Sequence, residues 1–255
     1  MLIFTYDGTF AGLLTCIFEA YNSRQFPDKI DIREKQPVQL FAEQREVISD
    51  NQKAERVWNG IQRKSSRRNK QMIFHAFLSE ERGIEIKIMR FARRLFNEGK
   101  NAETDLGDAD VLDIVDSARK VKKEAHRIKM FVRLQKTKDG IYFGGIDPLY
   151  DILPLVIDHF RARYADQQWL IYDLKRKYGA FFNKKTVEEV VLSPQSVNLH
   201  TGKVQENILE EDDAFYQTLW KSYFKHISIG ERRNLRLQRQ NMPRRFWKYL
   251  TEKQG

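Results

Sequence analysis

Residues 121–146 read VKKEAHRIKMFVRLQKTKDGIYFGGI, and the way this stretch folds decides the rest. Between 119 and 138 nine cations (Arg119, Lys120, Lys122, Lys123, Arg127, Lys129, Arg133, Lys136 and Lys138) stand against the single carboxylate Glu124. Surface helices normally intersperse both signs, so the imbalance points to a footprint for phosphate more than to an ordinary solvated face. From Met130 to Lys136 the residues alternate as in a strand, Val132 and Leu134 on one side and Phe131, Arg133 and Gln135 on the other. Asp139-Gly140 is a tight-turn dipeptide, and Ile141 to Ile146 supplies the returning strand. A basic helix is therefore expected to feed the basic edge of a small sheet.

Upstream, Leu2 to Tyr6 has the make-up of a strand, Asp7-Gly8 of a turn, and Thr9 of an N-cap. Phe10, Leu13, Leu14, Ile17, Phe18 and Tyr21 then recur at helical spacing. Asp7 is a candidate catalytic carboxylate, although Asp-Gly after a strand is more often a turn former. Asn22 to Gln39 reads as a loop, with a short strand near Val38 to Phe41. From Ser49 to Arg127 the pattern is helical, broken at Gly83 and Gly99. The acids from Glu103 to Asp116 precede a helix whose cations lie in its later turns, the order a helix dipole favours.

Downstream, Asp147 is expected to cap a helix with Pro148 at its first position and a kink at Pro154. Gly144-Gly145 lacks the third glycine of a phosphate loop and reads as turn chemistry. Trp169 to Asp173, Ala180 to Asn183 and Thr186 to Leu192 read as strands. The exposed face of the resulting sheet would carry Phe131, Arg133, Tyr142, Tyr172 and Phe181 in some combination, aromatics beside arginine being able to stack bases although strand aromatics are more often core. A polar, acidic connection then leads to an aromatic-striped helix over 215–227. Beyond it, Ser228 to Lys248 holds six arginines and one lysine against Glu231, a bias suited to bidentate recognition of phosphate or base edges.

The fold class expected is α+β, a largely helical N-terminal half around a small, mostly antiparallel sheet, with a helical arginine-rich C-terminal tail. The chain would form one unit over 1–255, with sub-regions 1–128, 129–193 and 194–255. At 255 residues and 41% hydrophobic content it can bury a sizeable core, and a formal net charge of +10 calls for an anionic partner. No run approaches the roughly 20 apolar residues of a membrane span. No basic n-region precedes Leu2, and the single Cys16 lies in an apolar helix pattern, so a reducing cytoplasm and no membrane are expected. One cysteine cannot hold an iron–sulfur cluster or a cysteine zinc site, and the five histidines lack ligand spacing. No metal and no cofactor are therefore expected in this chain.

Several segments together resemble a known family. They are Val121 to Lys129, Phe131-Val132-Arg133, Ser228-Ile229, Glu231 to Gln238, and Met242 to Leu250. With them go Tyr6-Asp7-Gly8-Thr9-Phe10, Phe18 to Tyr21, Asp147-Pro148 and Ile152 to Leu155. Over essentially the whole chain it is similar to a bacterial family of DNA-metabolism or DNA-repair proteins. Members of that family are encoded beside a radical-SAM protein proposed to act on DNA, and a related domain is fused to uracil-DNA-glycosylase-like domains. The resemblance implies a DNA-directed role beside a radical-SAM partner and leaves the reaction open.

The leading expectation is a subunit that binds nucleic acid, DNA or RNA, through Lys122, Lys123, His126, Arg127, Lys129, Arg133, Arg232, Arg233, Asn234, Arg236, Arg239, Arg244 and Arg245. A second reading is an enzyme using Asp7, Glu124, His126 or Asp173 as acid or base, and a third an adaptor for an acidic protein. The tail over 242–250 is expected to dock on the body and hold Arg232, Arg233 and Arg236 toward a groove bordered by Lys129 and Arg133.

Overall fold

The computed structural model describes residues 1–33, 42–99, 102, 105, 107–192, 197–198, 203–204, 239 and 242–250. The chain is α+β and forms two compact units, Met1–Lys122 and Lys123–Gly255.

The first unit is built around β1 (Leu2–Tyr6), whose Ile3, Phe4 and Tyr6 are fully buried. It lies between β2 (Lys29–Ile32) and β3 (Glu43–Glu46), parallel to both. A parallel neighbour requires a crossover, and α1 (Phe10–Ser23) provides the one from β1 to β2. Thr9 caps α1 as expected, its hydroxyl accepting from the Gly12 amide at 2.9 Å. The all-parallel sheet is a correction to the sequence reading, which expected β1 and a short strand near Val38 to Phe41 but neither β2 nor β3. The strand expected at Val38 to Phe41 lies outside the described residues. Helices α2 (Asn51–Lys64), α3 (Arg67–Phe77) and α4 (Ile84–Glu98) follow. Phe10 joins them through edge-on contacts with Trp58 and Phe74 at 5.2 and 5.1 Å.

The boundary between the units falls within α5 (Ala109–Phe131). Asp108 caps this helix, its Oδ1 accepting the amides of Asp110 and Val111. The helix continues through Met130 and Phe131, which the sequence reading had placed in a strand. Ile128, Phe131 and Val132 keep an i, i+3, i+4 spacing and all three are buried, so the helical face outlasts the alternating pattern.

In the second unit the sheet order is β4-β5-β6-β7-β8, comprising Gln135–Lys136, Tyr142–Ile146, Trp169–Asp173, Tyr178–Phe182 and Val187–Val190. Only β5 and β6 are parallel, so this sheet is mostly antiparallel as expected. The turn at Asp139-Gly140 forms, with Gly140 at φ 77°. Gly144 and Gly145 are strand residues of β5 instead of a turn. A Cβ on Gly144 would sit 2.6 Å from Leu134 Cδ2, so glycine makes room for that side chain. Helix α6 (Leu153–Arg163) starts later than Pro148, and Pro154 lies in its first turn, where a missing amide costs nothing, so it does not kink the helix. Phe160 packs on Trp169 at 6.0 Å, and Trp169 on Phe182 at 5.4 Å. Phe143, Tyr172 and Leu174 form a second buried cluster, so Tyr172 is core and Phe131 helical, and neither belongs to an exposed sheet face. A short antiparallel pair, β9 (Val197–Asn198) with β10 (Lys203–Val204), follows.

The aromatic-striped helix expected over 215–227 lies outside the described residues. Residues Arg244–Tyr249 form a 3-10 turn that buries Phe246, Tyr249 and Leu250 within the second unit. Among the described residues no helix is long and apolar enough to cross a membrane.

Candidate nucleic-acid interface

Where α5 ends, its last carbonyls need donors, and the side chain of Arg133 supplies them. Its Nη1 donates to the carbonyl oxygens of Met130 at 2.9 Å and Val132 at 3.2 Å. This folds Arg133 back beside Lys129, on the last turn of the helix. Tyr142 stands at the start of β5, its amide bonded to the Gln168 carbonyl. The last turns of α6 bring His159, Arg163 and Tyr164 to the same place. Together these residues line a cleft of about 680 Å³, with Met130, Val132 and Leu134 as its apolar wall.

The cleft is electropositive. Lys129, Arg133 and Arg163 line it, and no carboxylate is among its described lining residues. His159 registers that field: burial first, then the charges of Lys129 and Arg163, hold its imidazole below the ordinary range. Tyr164 stacks nearly parallel to Phe160, at 6.1 Å and 13° between planes, and carries the Arg163 guanidinium 5.7 Å from its ring centre. A cationic groove with aromatic rings in it has the components needed to hold phosphate and base together.

Of the binding residues anticipated from sequence, Lys129 and Arg133 line this cleft, as does Tyr142 of the anticipated aromatic face, and the other described ones stand elsewhere. Lys123 and His126 are exposed on α5, and Lys122, the last residue of the first unit, is exposed on that helix too. Arg127 lies 5.9 Å from the Phe246 ring centre. Arg239 and Arg244 are exposed, with Arg244 6.0 Å from the ring centre of Trp247. Arg245 is bound to Glu124 and packs 4.4 Å from the Phe246 ring centre. Arg232, Arg233, Asn234 and Arg236 lie outside the described residues. At the head of the basic run, Arg119 pairs with Asp116 and Lys120 with Glu81.

Of the acid–base candidates, Glu124 and His126 do not meet. Glu124 is 2% exposed and accepts from the Leu149 amide as well as from Arg245. His126, two residues further round the same helix, is exposed. A separation of two residues is about 200° of rotation, so the two side chains point apart. Asp173 is fully buried. Its Oδ1 accepts the Lys175 and Arg176 amides, and its Oδ2 accepts from Arg176 Nη1 at 2.9 Å. Burial nonetheless holds its carboxyl above the ordinary range, against the pull of Arg176.

Asp7, in the first unit, is a turn former with a further partner. It accepts from the Thr9 amide and hydroxyl and from Ser49 Oγ at 2.7 Å. Cys16 is buried in α1, where burial pushes its thiol up to about 12. Among the described residues no group of three or more His, Cys, Asp or Glu could hold a metal ion.

Sequence reasoning missed His159, Arg163 and Tyr164. The signal available was the i, i+4 spacing of His159 and Arg163, which sets a histidine and a cation on one face of a helix, with Tyr164 next at its end.

Residues 82–252 match the family described as a domain of unknown function, DUF4130. No curated protein and no solved structure matches the chain.

Proposed function

We propose, for a chain that belongs to the DUF4130 family and takes no activity from that membership, that it is a nucleic-acid-binding protein and not itself a catalyst. The observation that carries this reading is the cleft of Lys129, Arg133 and Arg163 with Tyr142, His159 and Tyr164, cationic and aromatic at once. The exposed Lys123 on α5 adds to the positive surface of the second unit. The engagement of Glu124 and Asp173 in internal hydrogen bonds supports binding over direct acid–base chemistry. The resemblance drawn from the basic segments adds the finer proposal: an accessory in DNA repair or modification that presents nucleic acid to a radical-SAM partner, which would supply the cofactor.

Titration of labelled oligonucleotides against the purified chain at low and moderate salt tests this. Binding should weaken steeply with salt, since each neutralised phosphate releases counterions, with a logarithmic slope of about −0.7 per contact on a single strand and −0.9 on a duplex. Absence of binding to any oligonucleotide at low ionic strength would overturn it.

A further inference from the structure

Resting on the nucleic-acid reading above, we infer that the cleft at the ends of α5 and α6 is a seat for one unstacked nucleotide of a single strand, not a surface for duplex. Three features of the cleft carry this. First, it is concave and of limited size: about 680 Å³ falls within the roughly 300–1,000 Å³ of pockets that enclose small ligands, and a mononucleotide is of that class. A duplex presents a convex rod whose bases are stacked inside, so its phosphates could touch the rim while its bases stayed out of reach.

Secondly, the cleft is lined by rings as well as by cations. Lys129 and Arg133 come from the end of α5, Arg163 and Tyr164 from the end of α6, and Tyr142 from the start of β5. Duplex backbone requires only the cations. Rings are useful to a nucleic acid only when a base has left its stack and can lie on them.

Thirdly, the cleft is fixed in advance. Arg133 is tied to the carbonyls of Met130 and Val132, Tyr164 is stacked on Phe160, and Leu134 rests in the space that Gly144 leaves. The bound nucleotide thus pays little to order its site, and unstacking is the main cost of binding. That cost is a few kcal/mol for a paired base and least for a strand already single.

The test uses the full-length chain and three fluorescent oligonucleotides of one sequence: single-stranded DNA, single-stranded RNA and the perfect DNA duplex. Each carries 2-aminopurine at a central position. Either single strand should bind on the order of ten-fold more tightly than the duplex, and the ratio of the two single strands tells which sugar the seat prefers. Binding should change the 2-aminopurine signal as its stacking partner changes. Tyr164→Ala should lose about ten-fold in single-strand affinity at an unchanged salt slope. Arg163→Ala should lower the slope by about 0.7. Tyr164→Phe, which keeps the ring, should retain the affinity and so separates a lost stack from a damaged fold. Equal or tighter binding of the duplex, with a Tyr164→Ala variant that binds as well as the parent, would overturn the single-nucleotide seat while nucleic-acid binding stood. Failure of all three oligonucleotides to bind would instead overturn the binding function itself.

Discussion

Arg245 places both terminal nitrogens on the carboxylate of Glu124, 121 residues earlier in the chain: Nη1 donates to Oε1 at 2.6 Å and Nη2 to Oε2. The carboxylate is 2% exposed and the guanidinium 34%. Removing the cation strands a buried charge, whereas removing both charges does not. Arg245→Ala should therefore destabilise the chain by about 3 kcal/mol in urea denaturation. Glu124→Met with Arg245→Met should cost less than Arg245→Ala alone, the residual loss being the Leu149 amide left without its acceptor. Losses that simply add would show that the pair contributes nothing as a pair.

His159 should make binding and stability respond to acid in opposite directions. Its lowered pKa means that the folded protein holds fewer protons than the unfolded chain in the window just below about 6.5, so stability falls as pH falls through that window. A phosphate in the cleft favours the imidazolium, so nucleic-acid affinity should rise over the same window. His159→Gln should flatten both responses, read by denaturation and by anisotropy across pH 5 to 7.5. An affinity profile unchanged by the substitution would remove His159 from the site.

Asp173 and Arg176 yield a prediction of the other sign. The Asp173 carboxyl is raised by burial, so the fold loses stability as pH rises from the ordinary carboxylate value through the raised one. Arg176 offsets part of that cost through Asp173, and its guanidinium also donates to the Pro148 and Leu149 carbonyls. Arg176→Met should cost about 3 kcal/mol at neutral pH and clearly less near pH 5, where Asp173 protonates more readily in the variant. A deficit independent of pH would mean that the carbonyl contacts matter and the charge does not.

In the first unit, Gly12 has no room for a side chain. A Cβ there would stand 2.4 Å from Asp7 Oδ1, 2.6 Å from Ser49 Oγ and 2.8 Å from Tyr6 Cδ2. Gly12→Ala should destabilise by roughly 2 kcal/mol through forced displacement, despite the better helix propensity of alanine. Burial raises the Asp7 carboxyl, but hydrogen bonds from Ser49 and Thr9 outweigh it and hold the group below its ordinary value. Its contribution is therefore present at neutral pH and lost as pH falls through the lowered value. Asp7→Asn should make the acid limb of the stability profile shallower, as followed by circular dichroism during acid titration.

The parts of the fold that were legible in the sequence are those where local chemistry and burial agree. Trp169 to Asp173 alternates between two buried faces and is a strand to the residue. Thr9, a residue type that caps helices, does so here by accepting the Gly12 amide. β3, Glu43-Gln44-Arg45-Glu46, could not be read, because none of its side chains is apolar. Its strand character comes from the backbone ladder to β1 and from Arg45 lying 5.5 Å over Phe4. The site divided in the same way. Lys129 and Arg133 were visible as charge in a basic run, but Arg163 and Tyr164 at a helix end look like any solvated terminus until Arg133 turns back to meet them.

The docked segment also sets an order of events. Arg245 closes on Glu124 across 121 residues, and Tyr249 accepts the Asp147 amide across 102. Contacts that long are slow to form, because the entropy of closing such loops is lost before the contacts can repay it. Until they form, Glu124 has no guanidinium to meet it, and Phe246 and Leu250 are uncovered beside the cationic end of α5. An immature molecule of this kind would attract both anions and exposed hydrophobic chains. Slowing the final closure, more than weakening the finished fold, is the route by which a change at Arg245 would promote aggregation.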